Sequence, residues 1–382
     1  MRDLALRADR GPWESIWVYD HFHTVPAPTD EATHEAWSLV SAFAAVTERV
    51  RIGQMCTAMA YRNPAYLAKV AATADIISGG RIEMGIGGGW YEHEWRAYGY
   101  GFPSPGERLR RLDEGVQIFR QAWTTGSATF SGRHYTVDGA IVRPLPLQEG
   151  GIPLWIAGGG EKVTLKIAAK YAQYTNFDGT PEGFARKSEI LREHCAEVGT
   201  DFDAIVRSAN YNVAIGRTEA EVQDRLEALR ARLEPIVGAE KADGALDAFR
   251  GMPAVGTPEQ IVENLTALKK QGLEYAIFYV RGRLRHLGAG TAREGSAPAP
   301  RVMPTAPERW RASRSRAVWV VGRQSGDPQR PAARPRHRSS GGSSLLASSR
   351  RRSSVASTWS TIFSLSFSTR HSTSGSARPR RR

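Results

Sequence analysis

Residues 20–23 read DHFH, placing Asp20 and His21 at the end of an apolar stretch. A histidine there can act as a base, donate a hydrogen bond to a reacting oxygen, or ligate a metal. Residues 85–94 read GIGGGWYEHE, in which Gly87, Gly88 and Gly89 are followed by Trp90 and Tyr91. No basic residue lies close and bulky aromatics follow. The pattern therefore suits main chain packed against a flat ring system, with Trp90 and Tyr91 shaping the pocket wall. A glycine-rich loop covered by aromatics is the structural alternative. AGGGEK at 157–162 sits between a strand and a helix, so the amides of Gly158, Gly159 and Gly160 can approach an anion such as phosphate. A tight strand-to-helix turn is the plainer reading. Neither glycine run has the GxGxxG spacing of a dinucleotide fold. In CTAMAYRNP (56–64), Arg62 can hold an anion or pair with an acidic neighbour. His-x-His after a strand also opens some metal sites, but His93, His134 and His194 fall in loops, a hairpin or a helix, and no metal is expected.

The elements around these residues alternate. SIWVYDHF, RVRIGQMCTAM, RIEMGIGGG, IPLWIAGGG, YTNFDG, VRSANYNVAIG and LEYAIFYV read as strands. Helical spacing fills the intervals, with Asn63-Pro64 and Thr180-Pro181 as helix starts and Gly79 and Gly272 as stops. ATFSGRHYTVDGA, with Asp138-Gly139, reads as an inserted hairpin. Near-continuous apolar strands alternating with helices indicate a parallel sheet covered by helices. Candidate residues follow many different strands, which favours a closed (β/α)8 barrel, whose C-terminal loops share one mouth, over an open doubly wound sheet. The count is one strand short at the start, so the first strand is expected to be missing through a late start codon or a truncated copy.

Charge divides the chain in two. Residues 1–280 hold 30 Lys and Arg against 36 Asp and Glu, a net of −6, and residues 281–382 hold 22 against 3, a net of +19. The expected organisation is a barrel domain over 1–280 and a disordered Arg/Ser/Pro/Ala-rich tail over 281–382. The tail contains Arg but no Lys, which suggests a shifted reading frame or an unrelated extension. An arm binding nucleic acid or anionic lipid is the alternative, and no nucleic acid is expected at the core domain. Cys56 and Cys195 are read as reduced thiols. There is no membrane-length apolar run and no secretory signal, so the expected location is the cytoplasm. A homodimer is left open.

Taken together, IWVYDHFH, the run from ERVRIGQMCTAMAYRNP through GGGWYEHEWRAYGYGFPSPGERLRRLDE, and IPLWIAGGGEKVTLKIAAKYA resemble the bacterial luciferase-like family of flavin and deazaflavin oxidoreductases. The similarity covers nearly all of residues 1–280 and is greatest to the branch that depends on coenzyme F420, a deazaflavin. It implies a cofactor ring held at the barrel mouth against a bulge carrying Met55, Cys56 and Thr57, with a non-proline cis peptide near Met55–Cys56. It further implies that Asp20 and His21 match an Asp-His pair near the hydride-transferring carbon, with His21 catalytic. By the same resemblance Gly87–Gly89 lie beside the ring and Gly158–Gly160 form the phosphate loop. Trp90 stands where the sugar-phosphate dehydrogenases carry a glutamate, and Val25 replaces a tryptophan, so that substrate class is not expected. The implied activity is hydride transfer between F420 and a small organic substrate. The alternatives are an FMN-dependent monooxygenase of the same family and an inactive copy that binds no cofactor.

Overall fold

The computed structural model describes residues 1–281, 315–323 and 359–367, the last two segments as backbone only. The chain opens with α1 (Arg2–Arg10), β1 (Trp13–Val18), α2 (Ala36–Val46), β2 (Arg51–Gln54), the two-residue β3 (Thr57–Ala58), α3 (Pro64–Ser78) and β4 (Ile82–Gly87). It continues through α4 (Glu92–Ala97), α5 (Pro105–Thr125), the hairpin strands β5 (Ser127–Ser131) and β6 (Thr136–Ile141), and β7 (Leu154–Ala157). Then come α6 (Thr164–Tyr171), β8 (Tyr174–Phe177), α7 (Pro181–Val198), β9 (Val206–Ile215), α8 (Glu219–Val237) and α9 (Ala239–Arg250). β10 (Val255–Gly256), α10 (Pro258–Lys270) and β11 (Tyr275–Arg281) follow, with β12 (Ser315–Arg323) and β13 (Trp359–Phe367) beyond.

Local chemistry explains where the helices start and stop. α3, α5, α7 and α10 each begin with a capping side chain followed by proline: Asn63-Pro64, Ser104-Pro105, Thr180-Pro181 and Thr257-Pro258. The cap oxygen accepts an otherwise unpaired amide, and proline occupies a position that needs no N–H. α3, α5 and α7 stop at Gly79, Gly126 and Gly199, all left-handed with φ of 69°, 80° and 75°.

β1, β2, β4, β7, β8, β9 and β11 pair in parallel, and the β8–β9 pairing carries the sheet around the ring. β12 lies parallel to β1 and touches β11 in parallel at Phe278–Trp319, while β13 runs antiparallel to both β11 and β12. The ring position beside β1, expected to lack its strand, is thus taken by β12. The fold is a (β/α)8 barrel with β13 as an added strand. The expectation of a disordered tail over 281–382 falls mainly on 282–314, 324–358 and 368–382, outside the described residues. Within it, AVWVV and the alternating WSTIFSLSF supply the β-branched and aromatic residues of β12 and β13.

Other differences have local causes. β1 ends at Val18, so Asp20–His23 lie in the loop rather than in the strand. The hairpin turns at 132–135, and Asp138-Gly139 instead form a bulge opposite Thr129, with Gly139 at φ 61°. α4, α9 and β10 were not foreseen: α4 is too short to display a period, and α8 continues through Pro235 to Val237 before α9 begins. No helix among the described residues is long and apolar enough to cross a membrane.

The lower barrel interior is filled by large side chains, as expected of a packed barrel. Trp17 meets Trp155 edge-on at 4.7 Å, and Trp155 stacks on Tyr174 at 4.1 Å. Gly53 makes this possible, because a Cβ there would come within 2.6 Å of the Trp17 ring. Glu83 is buried beside them, accepting from Trp155 Nε1 at 2.7 Å and from Arg51 Nε. Burial pushes the Glu83 carboxyl upward and the Arg51 guanidinium opposes that rise. Glu83→Ala removes both acceptors and is expected to lower unfolding free energy by about 3 kcal/mol or more. Urea unfolding checks this, and a loss under about 1 kcal/mol would mark the pair as an ordinary surface contact.

Candidate active site

Above this floor the C-terminal ends of the strands enclose a cavity of about 540 Å³. Tyr19, Asp20 and His21 follow β1, Met55 and Cys56 follow β2, and Gly87 ends β4 with Gly88–Trp90 after it. Ala157 and Gly158 come from the end of β7, Asn176 from β8, Asn210 and Asn212 from β9, and Tyr279 from β11. The volume suits a cofactor or drug-sized ligand.

His21 is held by Glu94. The Glu94 carboxylate is buried and collects four donors: His21 Nδ1 at 2.8 Å, the Tyr61 hydroxyl at 2.8 Å, and the amides of Phe22 at 2.8 Å and His23 at 3.3 Å. Burial alone would push the Glu94 carboxyl up, but the bonds from His21, Phe22 and Tyr61 outweigh it and hold the group below its ordinary value of 4.5. An ionised carboxylate only accepts, so Nδ1 of His21 carries a proton. Nε2 has no partner among the described residues and is left for the cavity. Burial, reinforced by Glu94, pushes the Tyr61 hydroxyl far up, so it stays protonated and donates. Trp90 and Tyr91 each meet the imidazole edge-on at 5.7 Å.

Asp20 has a different occupation. Arg62 grips it at 2.7 and 2.9 Å, and its Oδ2 also accepts the Ala58 amide at 3.1 Å. Arg62 also reaches Glu35 at 2.5 Å. Asp20 therefore fixes the turn between β1 and β3, and Arg62 pairs with acids rather than holding an anion. Met55–Cys56 is a non-proline cis peptide, at the position that the family resemblance implies. Cys56 opens onto the cavity. Burial, with Asp20 nearby, pushes its thiol up to about 12, so it remains a neutral thiol at pH 7. Thr57 is fully buried, donates to Gln54, and does not line the cavity.

The two glycine runs differ in purpose. A Cβ on Gly87 would lie 3.0 Å from both the Ala157 carbonyl and Cys56 Sγ, and Gly89 combines φ 76° with a 2.8 Å approach to Trp95. Ala157 and Cys56 line the cavity themselves, so at Gly87 a side chain would crowd the cavity wall, whereas at Gly89 Trp95 leaves no room behind the loop. Bare main chain faces the cavity at both. Arg108 braces this loop by donating to the Gly89 carbonyl at 3.1 Å while lying 4.1 Å over the Phe102 ring. In the second run only Gly158 lines the cavity, and its amide is already committed to the Asn176 carbonyl at 2.8 Å. The amides of Gly159 and Gly160 donate to no acceptor among the described residues. Lys187 packs over Gly159 and pairs with Glu161 at 2.7 Å. Tyr91 is also off the cavity, its hydroxyl donating to the Thr24 carbonyl at 3.1 Å, whereas Trp90 is 61% exposed at the mouth.

The sequence reading gave no role to Glu94, Tyr61 or the amide wall. In that wall Asn176 donates to Ser208 at 2.9 Å and to Asn210 at 3.0 Å, and Asn210 donates to the Tyr279 hydroxyl at 3.4 Å. The alternation of Ser208, Asn210 and Asn212 on one face of β9 was the available signal.

The luciferase-like monooxygenase family model matches residues 1–275. The chain belongs to that family. The luciferase-like chain is 36% identical over 177 residues to an F420-dependent glucose-6-phosphate dehydrogenase of Amycolatopsis mediterranei, which is 45% of this chain and 50% of that enzyme. It is 27% identical over 298 residues to the FMNH(2)-dependent dimethylsulfone monooxygenase of Pseudomonas putida, 72% of this chain and 80% of that one. A solved F420-dependent secondary alcohol dehydrogenase in complex with an F420-acetone adduct superposes with a TM-score of 0.61 at 23% identity, covering 71% of this chain and 86% of that one. These relatives are oxidoreductases.

Because Glu94 titrates below its ordinary value in the fold, the unfolded chain binds its proton first as pH falls. The stability Glu94 contributes is therefore present above pH 4.5 and is lost as pH drops through its lower folded value. Glu94→Gln should flatten that acid limb in thermal unfolding measured from pH 6 down to pH 3 (roughly the carboxylate range). An unchanged limb would remove Glu94 from the account.

Proposed function

We propose that the luciferase-like barrel binds coenzyme F420 and moves a hydride between it and a small, uncharged organic substrate. The observation that carries this reading is the juxtaposition of His21, its Nδ1 proton fixed by Glu94, with a bare main-chain wall at Gly87–Gly89 across one cavity. A side-chain-free wall fits the face of a planar ring, and the amides of Gly159 and Gly160, which find no acceptor among the described residues, suit an anionic group. These residues, together with Gly158, Met55 and Cys56, would hold the cofactor. When bound, the deazaflavin supplies a two-electron hydride donor or acceptor.

The chain's own residues handle the proton. With Nδ1 protonated, neutral His21 presents the Nε2 lone pair and accepts a hydroxyl proton as an alcohol becomes a carbonyl. In the reverse direction the imidazolium donates from Nε2 to the carbonyl oxygen. Glu94 stabilises that imidazolium and keeps the ring oriented, the role of a buried carboxylate behind a catalytic histidine. Trp90 and Tyr19 border the substrate side, and the Asn176–Asn210–Tyr279 wall offers uncharged hydrogen bonds.

Among the described residues that line the cavity there is no lysine or arginine. A sugar phosphate would therefore meet no cation there, which supports an uncharged substrate despite the glucose-6-phosphate dehydrogenases among the relatives. FMN is the second reading, supported by the FMNH(2)-dependent relative.

Titration of the purified chain with F420 and with FMN tests the reading, and tighter F420 binding is expected. His21→Ala should cut turnover of an uncharged alcohol roughly 10²–10⁴-fold while leaving F420 affinity within about threefold, since Nε2 acts on the substrate. Binding of neither cofactor, or preference for FMN, would contradict it.

A further inference from the structure

Two further histidines stand beside the site. His23 follows His21 in the loop after β1, and His93 precedes Glu94 on α4. Their Nδ1 atoms face each other at 3.0 Å in an exposed contact, with the rings 5.0 Å apart and crossed at 61°. Neither lines the cavity. Tyr98 packs against His23 at 5.6 Å and Tyr91 against His93 at 6.1 Å, so each ring is held by a neighbour from α4 or its flanks.

We propose that His23 and His93 form a bidentate imidazole site for a divalent late transition-metal ion at the edge of the active site. Metal–nitrogen bonds of about 2.0–2.1 Å to two atoms 3.0 Å apart subtend an angle of about 90–97°. That is the bite of an octahedral or square-planar ion, whereas tetrahedral zinc would need nitrogens about 3.4 Å apart. Nickel and copper are the ions that favour imidazole in such geometry.

In the metal-free pair one Nδ1 donates its hydrogen to the other. On binding, the donor ring moves that proton to Nε2, so both Nδ1 lone pairs face the ion and no net proton is released. Glu92, one residue away, is engaged by Arg96 at 2.7 Å and is not positioned as a third ligand by any contact here. Among the described residues no group of three or more His, Cys, Asp or Glu side chains could hold a metal, so water completes the coordination. Solvent access at the pair permits this.

The ion would tie the loop after β1 to α4. These are the two segments that already meet through Glu94, which accepts the His23 amide at 3.3 Å. The histidine pair lies outside the cavity proposed for the cofactor. The His21–Glu94 bond involves neither His23 nor His93.

The test uses the untagged full-length chain titrated with Ni²⁺ by calorimetry. The double variant His23→Asn/His93→Asn sets the background from the other histidines. The parent should show one saturable site beyond that background, and His93→Asn and His23→Asn should each weaken it roughly tenfold or more. His93 is exposed, and circular dichroism of each variant verifies its fold. Equal Ni²⁺ binding by the parent and the double variant, or full retention by either single variant, would overturn the proposal.

Discussion

The site depends on one buried carboxylate. Glu94 lies on a single turn of helix that the loop after β4 delivers over the barrel mouth, and it accepts bonds from two side chains and two amides of another segment. A buried carboxylate without partners would take up a proton, whereas one with four donors stays ionised. Its charge then dictates which nitrogen of His21 carries hydrogen. The same bonds to the Phe22 and His23 amides fix the course of the loop, so the orientation of the imidazole and the shape of the cavity rim share a single cause. Tyr61 takes part by donating its hydroxyl, and its own carbonyl accepts from Tyr100, which extends the network to the aromatic cluster over α4.

The opposite wall is built on different principles. Gly87 is required by its cavity-lining neighbours Ala157 and Cys56, and Gly89 by Trp95 behind it. Packing within the protein excludes the side chains, and the flat main-chain surface facing the cavity is the consequence. Arg108 then holds the loop through the Gly89 carbonyl. Asp20 and Arg62 act similarly on the first loop, a buried ion pair spent on geometry rather than on ligand charge. The cavity is therefore lined by groups that, apart from His21, are uncharged or already paired among the described residues.

Much of this was legible in the sequence. The alternation of strands and helices, the cap-proline starts and the glycine stops follow from local rules that hold regardless of context. The convergence of DHFH and GIGGGW on one mouth followed from placing each after a different barrel strand. Glu94 was not legible as the partner of His21, because the contact joins residues 73 positions apart and rests on the loop geometry of α4. Thr57 and Tyr91 face away from the cavity for a similar reason: the irregular backbone between β2 and β3, and the turn into α4, reset the alternation that strand periodicity would give. The Asp138-Gly139 pair looked like a turn, yet the bonds of Glu114 to the amides of 133–135 fix the turn elsewhere. β12 could not be foreseen in an arginine-rich region whose bulk composition conceals a short β-branched run.

The central claim concerns where a single proton sits, and nitrogen-15 NMR of the imidazole reads that directly. In the parent at neutral or mildly alkaline pH, the neutral His21 ring should appear as the Nδ1–H tautomer, with Nε2 unprotonated, and Glu94→Gln should shift the population toward Nε2–H. A parent ring found as the Nε2–H tautomer, or one unaffected by Glu94→Gln, would contradict the account.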